Sequence, residues 1–184
     1  MTEAEWWIDR YRAAPTSVGR GNILEEMALE AHEAADTSMK RFILQAAEGS
    51  TDEADEHLRV RALEVFRWLG LPDEEYRRRV IDWVLGRIER AGRGENERTY
   101  AVSTCHRWIR EPRAQARLLG LVNDETEEPG LRLLALDCFT LLGPGDAFPE
   151  LTDTCRRLTA RHPGETDDDV LGRKARRVLA KVGE

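Results

Sequence analysis

Apolar residues recur along this chain with a helical period, and one block of that pattern returns. Leu58-Arg59-x-x-Ala62 runs on to Leu69-Gly70, and Leu131-Arg132-x-x-Ala135 runs on to Leu142-Gly143. Val182-Gly183 follows Ala175 at the same offset, Trp108-Ile109 follows Ala101, and a weaker copy begins Leu24-x-x-x-Ala28. The anchoring alanines fall at 28, 62, 101, 135 and 175, in steps of 34, 39, 34 and 40 residues. Counted from each alanine, positions −4, 0, +3, +4 and +7 lie on one face of a helix. In the second copy that face reads Leu58, Ala62, Val65, Phe66 and Leu69; in the fourth it reads Leu131, Ala135, Cys138, Phe139 and Leu142. A small residue at the centre lets a second helix approach, and the large ones at +4 and +7 fill the space beside it. A helical unit of this length cannot bury its apolar face alone, so neighbours must stack.

Punctuation between the blocks predicts five helix pairs. They are Glu3–Ala14 with Gly21–Ala35, Ser38–Ala47 with Glu53–Leu69, Asp73–Ala91 with Asn96–Ile109, Arg113–Val122 with Pro129–Leu142, and Phe148–Arg161 with Asp167–Val182. Pro112 and Pro129 suit helix starts, where a missing N–H costs nothing. Thr51 or Asp52 is placed to cap free amides, and Leu71-Pro72-Asp73 marks a helix start with acids in the first turn to suit the helix dipole. Gly19-Arg20-Gly21, Gly92-Arg93-Gly94, Pro144-Gly145 and Pro163-Gly164 read as turns. Trp7 and Tyr11 share a stripe that would seal one end of a stack. No run of alternating β-branched residues points to a strand. The expectation is an all-α chain, an α-solenoid of about five antiparallel hairpins (1–36, 37–70, 71–110, 111–143 and 144–184) within a single domain, 1–184.

Composition refines the picture. The chain has 184 residues, a formal net charge of −7, and 34% charged residues. The charge is uneven: residues 1–56 carry 13 acids and 5 bases, 57–123 carry 9 and 14, and 124–184 carry 13 and 9. This is an acidic arm beside a basic middle, and the overall sign opposes non-specific nucleic-acid binding. Three cysteines, Cys105, Cys138 and Cys155, with no CxxC spacing, argue against a disulfide framework or a zinc site. Cys105 and Cys138 fall on inward faces, as free thiols in a reducing compartment do. The first residues lack the basic-then-apolar order of a signal peptide, and no apolar run reaches bilayer length. The expected setting is the cytoplasm, without membrane attachment.

The recurring block resembles the second helix of HEAT and HEAT-like repeats, which reads Val/Leu-Arg-x-x-Ala and closes with Leu-Gly. Leu58-Arg59-x-x-Ala62 with Leu69-Gly70 and Leu131-Arg132-x-x-Ala135 with Leu142-Gly143 carry the resemblance, which fits best over residues 52–143. The segment around Ala101 keeps Arg98 but ends in Trp108-Ile109; the last copy has Gly172, and the first Glu25, where the arginine belongs. Most steps are shorter than is usual for that family, which leaves tetratricopeptide-like hairpins as the second-ranked architecture. The resemblance implies a scaffold that binds a partner protein on its concave face without performing chemistry. Two forms of that role compete: a general adaptor, and a small inhibitor or immunity-type protein that plugs a basic effector enzyme. The same family contains DNA glycosylases, so a HEAT-like DNA-binding protein or glycosylase is the alternative. Trp68, Trp108, Glu64 and Asp137 would then supply a pocket, and the net negative charge opposes it.

In such stacks the second helices line the concave side, and positions −1, +2 and +6 would form a ridge on it. Down the stack the ridge reads Met27, Glu30 and Ala34; Arg61, Glu64 and Trp68; Tyr100, Ser103 and Arg107; Leu134, Asp137 and Leu141; and Lys174, Arg177 and Lys181. The residues singled out for partner binding are Arg61, Glu64, Trp68, Tyr100, Ser103, Arg107, Asp137 and Leu141, among which Trp, Tyr and Arg are the types enriched at interface hot spots. No catalytic set is expected. His32, His57, His106 and His162 have no metal-ligand spacing, Cys105 and His106 point to different helix faces, and Asp167-Asp168-Asp169 suits a helix start better than a cation. Arg77-Arg78-Arg79 is either a solvated face or a docking patch for an acidic partner. No metal, cofactor or enzymatic activity is therefore expected. The inward frame makes a quantitative prediction: Phe66→Ala or Phe139→Ala should each lower unfolding free energy by about 3–5 kcal/mol through cavity formation, measured by urea denaturation. A loss as small as that of a surface substitution would refute the frame.

Overall fold

The computed structural model describes residues 1–33, 37–89, 95–161 and 170–183. Among them the chain is all helical, with no strand. Ten α-helices appear: α1 (Glu3–Ala13), α2 (Ser17–Glu33), α3 (Ser38–Gly49), α4 (Glu56–Phe66), α5 (Glu74–Arg87), α6 (Glu95–Thr104), α7 (Pro112–Asn123), α8 (Pro129–Cys138), α9 (Pro149–Arg161) and α10 (Val170–Val182). Residues 1–104 form one compact unit and residues 105–184 a second. The turns expected at Gly92-Arg93-Gly94 and Pro163-Gly164, His162, and the acid run Asp167-Asp168-Asp169 lie outside the described residues.

Within each unit most helices pack on the next helix or on the one after it, and the even-numbered helices pack on one another. In the first unit α1 touches α2 and α3, α2 touches α3 and α4, α3 touches α4 and α5, and α6 touches both α4 and α5. In the second unit α7 touches α8 and α9, and α10 touches α8 and α9. The even-numbered helices carry the anchoring alanines, and Ala28, Ala62, Ala101, Ala135 and Ala175 are each 0% exposed. The residues around them follow the same frame. Leu58, Val65, Phe66 and Leu69 are buried in the first unit, as are Leu131, Cys138, Phe139 and Leu142 in the second. Phe66 meets Trp83 of α5 edge to face at 5.6 Å, an arrangement favoured by the ring quadrupoles.

The arginine that precedes the alanine by three residues has a repeated task. Arg98 Nε donates to the Ile88 carbonyl at 3.1 Å, and Arg132 Nε donates to the Val122 carbonyl at 3.1 Å. Arg59 Nη1 reaches the carbonyls of Ser50 (3.3 Å) and Asp52 (2.6 Å). Each guanidinium thus meets backbone oxygens at or just past the end of the preceding helix. Those oxygens lack intrahelical partners and sit at the negative end of the helix dipole. Lys40 Nζ approaches the His32 carbonyl near the end of α2 in the same manner, at 3.4 Å.

Several boundaries differ from the sequence expectation. Helix α2 starts at Ser17, so Gly19 and Gly21 are helical rather than a turn. The Thr16 hydroxyl accepts from the Gly19 amide at 3.1 Å, and Gly21 is buried where α2 crosses α4. A Cβ on Gly21 would stand 3.1 Å from Arg61 Cγ and 3.2 Å from His57 Cδ2, so glycine permits that crossing. Neither Thr51 nor Asp52 forms a side-chain cap: residues 53–55 make a 3-10 turn, and α4 begins at Glu56. Asp73 does cap α5, accepting from the Tyr76 amide at 2.7 Å. Helices α6 and α8 stop at Thr104 and Cys138, and 3-10 segments follow over Cys105–Trp108 and Phe139–Leu141. In both, the +3 side chain bonds back to the carbonyl four residues earlier, Thr104 to Tyr100 and Cys138 to Leu134, a bond that competes with regular helix.

The most unusual core contact is ionic. Glu97 occupies the −4 position before Ala101, where the second and fourth copies have leucine, and it is 0% exposed. Its Oε2 accepts from Arg59 Nε at 2.9 Å, and its other oxygen lies 3.6 Å from Arg87. Removing one member of a buried pair strands the other charge in low dielectric. Glu97→Gln is therefore expected to cost about 3–5 kcal/mol in equilibrium unfolding, with part of the loss recovered in Arg59→Met/Glu97→Leu. A change below about 1 kcal/mol would mean that the pair behaves as a surface bridge.

Candidate functional site

Helices α4 and α6 lie side by side, with their alanines and apolar positions turned into the core. On the other side the spacing of four residues aligns Glu56, Val60 and Glu64 along α4, His57 with Arg61 beside them, and Asn96 with Tyr100 on α6. These seven residues line an open recess of about 360 Å³. Arg61 holds a central place in it: Nη1 donates to Glu64 at 2.8 Å and lies 3.7 Å from Glu25 of α2. Tyr100 is half-buried, and its carbonyl accepts the Thr104 hydroxyl at 2.7 Å. Asn96 is exposed at the start of α6.

Three of the eight residues chosen from the sequence, Arg61, Glu64 and Tyr100, thus meet in one recess. Trp68 lies just beyond α4, is 36% exposed, and meets the His32 ring edge-on at 5.6 Å. Ser103 is half-buried on α6 and does not line the recess. The remaining three belong to the second unit. Arg107 is half-buried, with its guanidinium 5.8 Å from the centre of the buried Trp108 ring. Asp137 of α8 is held by Lys174 of α10, so two neighbouring rungs of the expected ridge are joined by an ion pair. Leu141 is 56% exposed. On α2 the frame fails at one position: Met27 is fully buried, because α2 is enclosed by α1, α3 and α4. Ala34 lies outside the described residues.

His57, Glu56, Val60 and Asn96 were not among the sequence candidates. His57 and Asn96 both stand five residues before their alanine, one helical turn ahead of Arg61 and Tyr100 at −1. Extending the ridge by that turn would have found them.

Other candidate groups are committed elsewhere. Arg77 and Arg79 bond to Glu74 and Glu48, at 2.8 and 2.6 Å, so two of the three arginines in that run are neutralised locally. A broader recess of about 660 Å³ between α3 and α5 contains the pairs Arg79 with Glu48 and Arg41 with Asp73 (3.5 Å), with Glu75 beside them, so both of its arginines are already engaged. The three cysteines are buried free thiols; burial pushes Cys105 up to about 12 and Cys155 up to about 11, and it raises Cys138 as well. Such thiols stay protonated and make poor nucleophiles. Among the described residues no three His, Cys, Asp or Glu side chains come together as metal ligands would. None of the helices among the described residues is long and apolar enough to cross a membrane.

Comparison with protein-family models, with curated proteins and with solved structures gives no match.

The Asp137–Lys174 pair is half-exposed, so its coupling should be modest. A double-mutant cycle with Asp137→Asn and Lys174→Met is expected to give about 0.2–1 kcal/mol. A coupling several times larger would show that these charges hold α8 and α10 together rather than standing ready for a partner.

Proposed function

We propose that this chain is a non-enzymatic protein–protein interaction module of HEAT-repeat type, with each unit built by solenoid-like stacking of hairpins. The packing of the even-numbered helices on one another, α2 on α4 and α4 on α6 in the first unit and α8 on α10 in the second, supports this reading. So does an alanine buried at the same place in every copy. In this reading the even-numbered helices of each unit offer that unit's binding face. The observation that carries it is the recess between α4 and α6, where Arg61, Glu64 and Tyr100 come from two repeats to one opening. Arginine and tyrosine dominate interface energetics when a partner desolvates them, and a usable interface covers roughly 800 Å² on each side.

The inhibitor or immunity-type role fits the acidic arm better than a general adaptor does, and it places the protein in the cytoplasm beside a basic target. The DNA glycosylase alternative is the weaker reading. Glu64 is already bonded to Arg61, Asp137 to Lys174, and Trp108 is buried.

The test is affinity capture from native cytosol, followed by titration of the captured protein against Arg61→Glu and Arg107→Glu. Each reversal is expected to weaken binding about tenfold or more, equivalent to about 1.4 kcal/mol. Unchanged affinity for both variants would end the assignment of the face. Salt-sensitive retention of duplex DNA would favour the alternative.

A further inference from the structure

We infer that the recess between α4 and α6 is a receptor for an arginine side chain presented by a basic segment of the partner. The inference rests on the binding role proposed above and names the chemistry that the site would recognise.

Charge is the first reason. The recess and its edge hold three carboxylates, Glu25, Glu56 and Glu64, against one guanidinium, Arg61. Arg61 is shared between Glu64 and Glu25. Glu56, half-buried on the lining, has no ion partner among the described residues. A second cation would complement the site, whereas an anionic ligand would add to the excess.

Shape and chemistry narrow the cation. The volume of about 360 Å³ lies at the low end of the range for ligand clefts, which suits one long side chain. Tyr100 supplies an aromatic ring on one wall, favourable to a planar guanidinium. Glu56 offers two acceptor oxygens, and the Asn96 side-chain carbonyl offers a third on the facing helix. Val60 gives the aliphatic stem an apolar floor. A guanidinium presents five donors in a fixed plane and fits a fork of acceptors better than a lysine ammonium does.

The experiment uses the full chain and a short blocked peptide, Gly-Arg-Gly-Arg-Gly, followed by NMR. Peptides with lysine or glutamate in place of arginine serve as comparisons. Saturable shifts of the Tyr100, His57 and Asn96 signals are expected with arginine, weaker by about threefold or more with lysine, and absent with glutamate. Binding should weaken as salt rises. Glu56→Gln/Glu64→Gln is expected to reduce affinity about tenfold. Glu150→Gln/Asp153→Asn removes the same charge from exposed positions of α9 and should stay within about twofold. Asn96→Lys puts a competing cation at an exposed position, and it too should lose about tenfold; it keeps the test decisive if the Gln pair unfolds. Equal losses in the α9 variant and the recess variants, recess shifts caused by the glutamate peptide, or no shift with arginine would each overturn the inference. If a captured partner depends on Arg61 while the arginine peptide leaves the recess unmoved, the inference falls and the binding role stands.

Discussion

How closely two helices approach is set by the side chain where they cross. The five anchoring alanines, none of them solvent-accessible, allow the even-numbered helices to sit deep in their units, and larger neighbours such as Phe66 and Phe139 fill the remaining space. A bulkier residue at any of these positions would push the axes apart and leave voids along the whole contact, because interiors are packed at crystal-like density. Gly21 extends the same constraint to the crossing of α2 and α4, where even a methyl group would press on Arg61 and His57.

Close packing leaves helix ends with unmet carbonyls, and a recurrent arginine meets them. Arg59, Arg98 and Arg132 each carry a full charge into or beside the core and find backbone oxygen there. The device joins sequence to tertiary structure in one step, since the residue that marks the repeat also caps the preceding helix. In the second unit, Asp146 plays a related part at the loop after Leu142. It accepts from the Gly143 amide at 2.9 Å and from Arg110 at 2.8 Å, and the Arg110 bond, then the Gly143 bond, hold its carboxyl below the ordinary aspartate value.

The apolar frame was readable because it is periodic and local. Alanine spacing, the phenylalanines and the inward cysteines all follow from counting along one helix. Glu97 was not readable in that way. At an apolar position a carboxylate breaks the pattern, and its burial is explained by the approach of two arginines on other helices, Arg59, 38 residues away, and Arg87. The helical Gly19 and Gly21 were hidden for a related reason: glycine pairs signal turns locally, whereas here the crossing of α4 demands a glycine at position 21. Three of the seven residues lining the candidate recess were legible. Arg61, Glu64 and Tyr100 follow from the repeat frame, while His57 and Asn96 lie one turn beyond the positions that frame emphasised, and Glu56 and Val60 fall between them. Met27 went the other way, since the number of helices around α2 is a tertiary fact.

The buried bond between Arg59 and Glu97 links the two helices whose outer sides form the recess. Interdigitated apolar side chains already restrict sliding, and an ionic hydrogen bond adds a directional restraint that holds only over a narrow range of distance and angle. This bond therefore fixes the register of α6 against α4 when the chain folds. The entropy of setting the two backbones that carry the recess is spent at that stage, so any group the recess were to bind, as proposed, would lose less of its contact energy to ordering them.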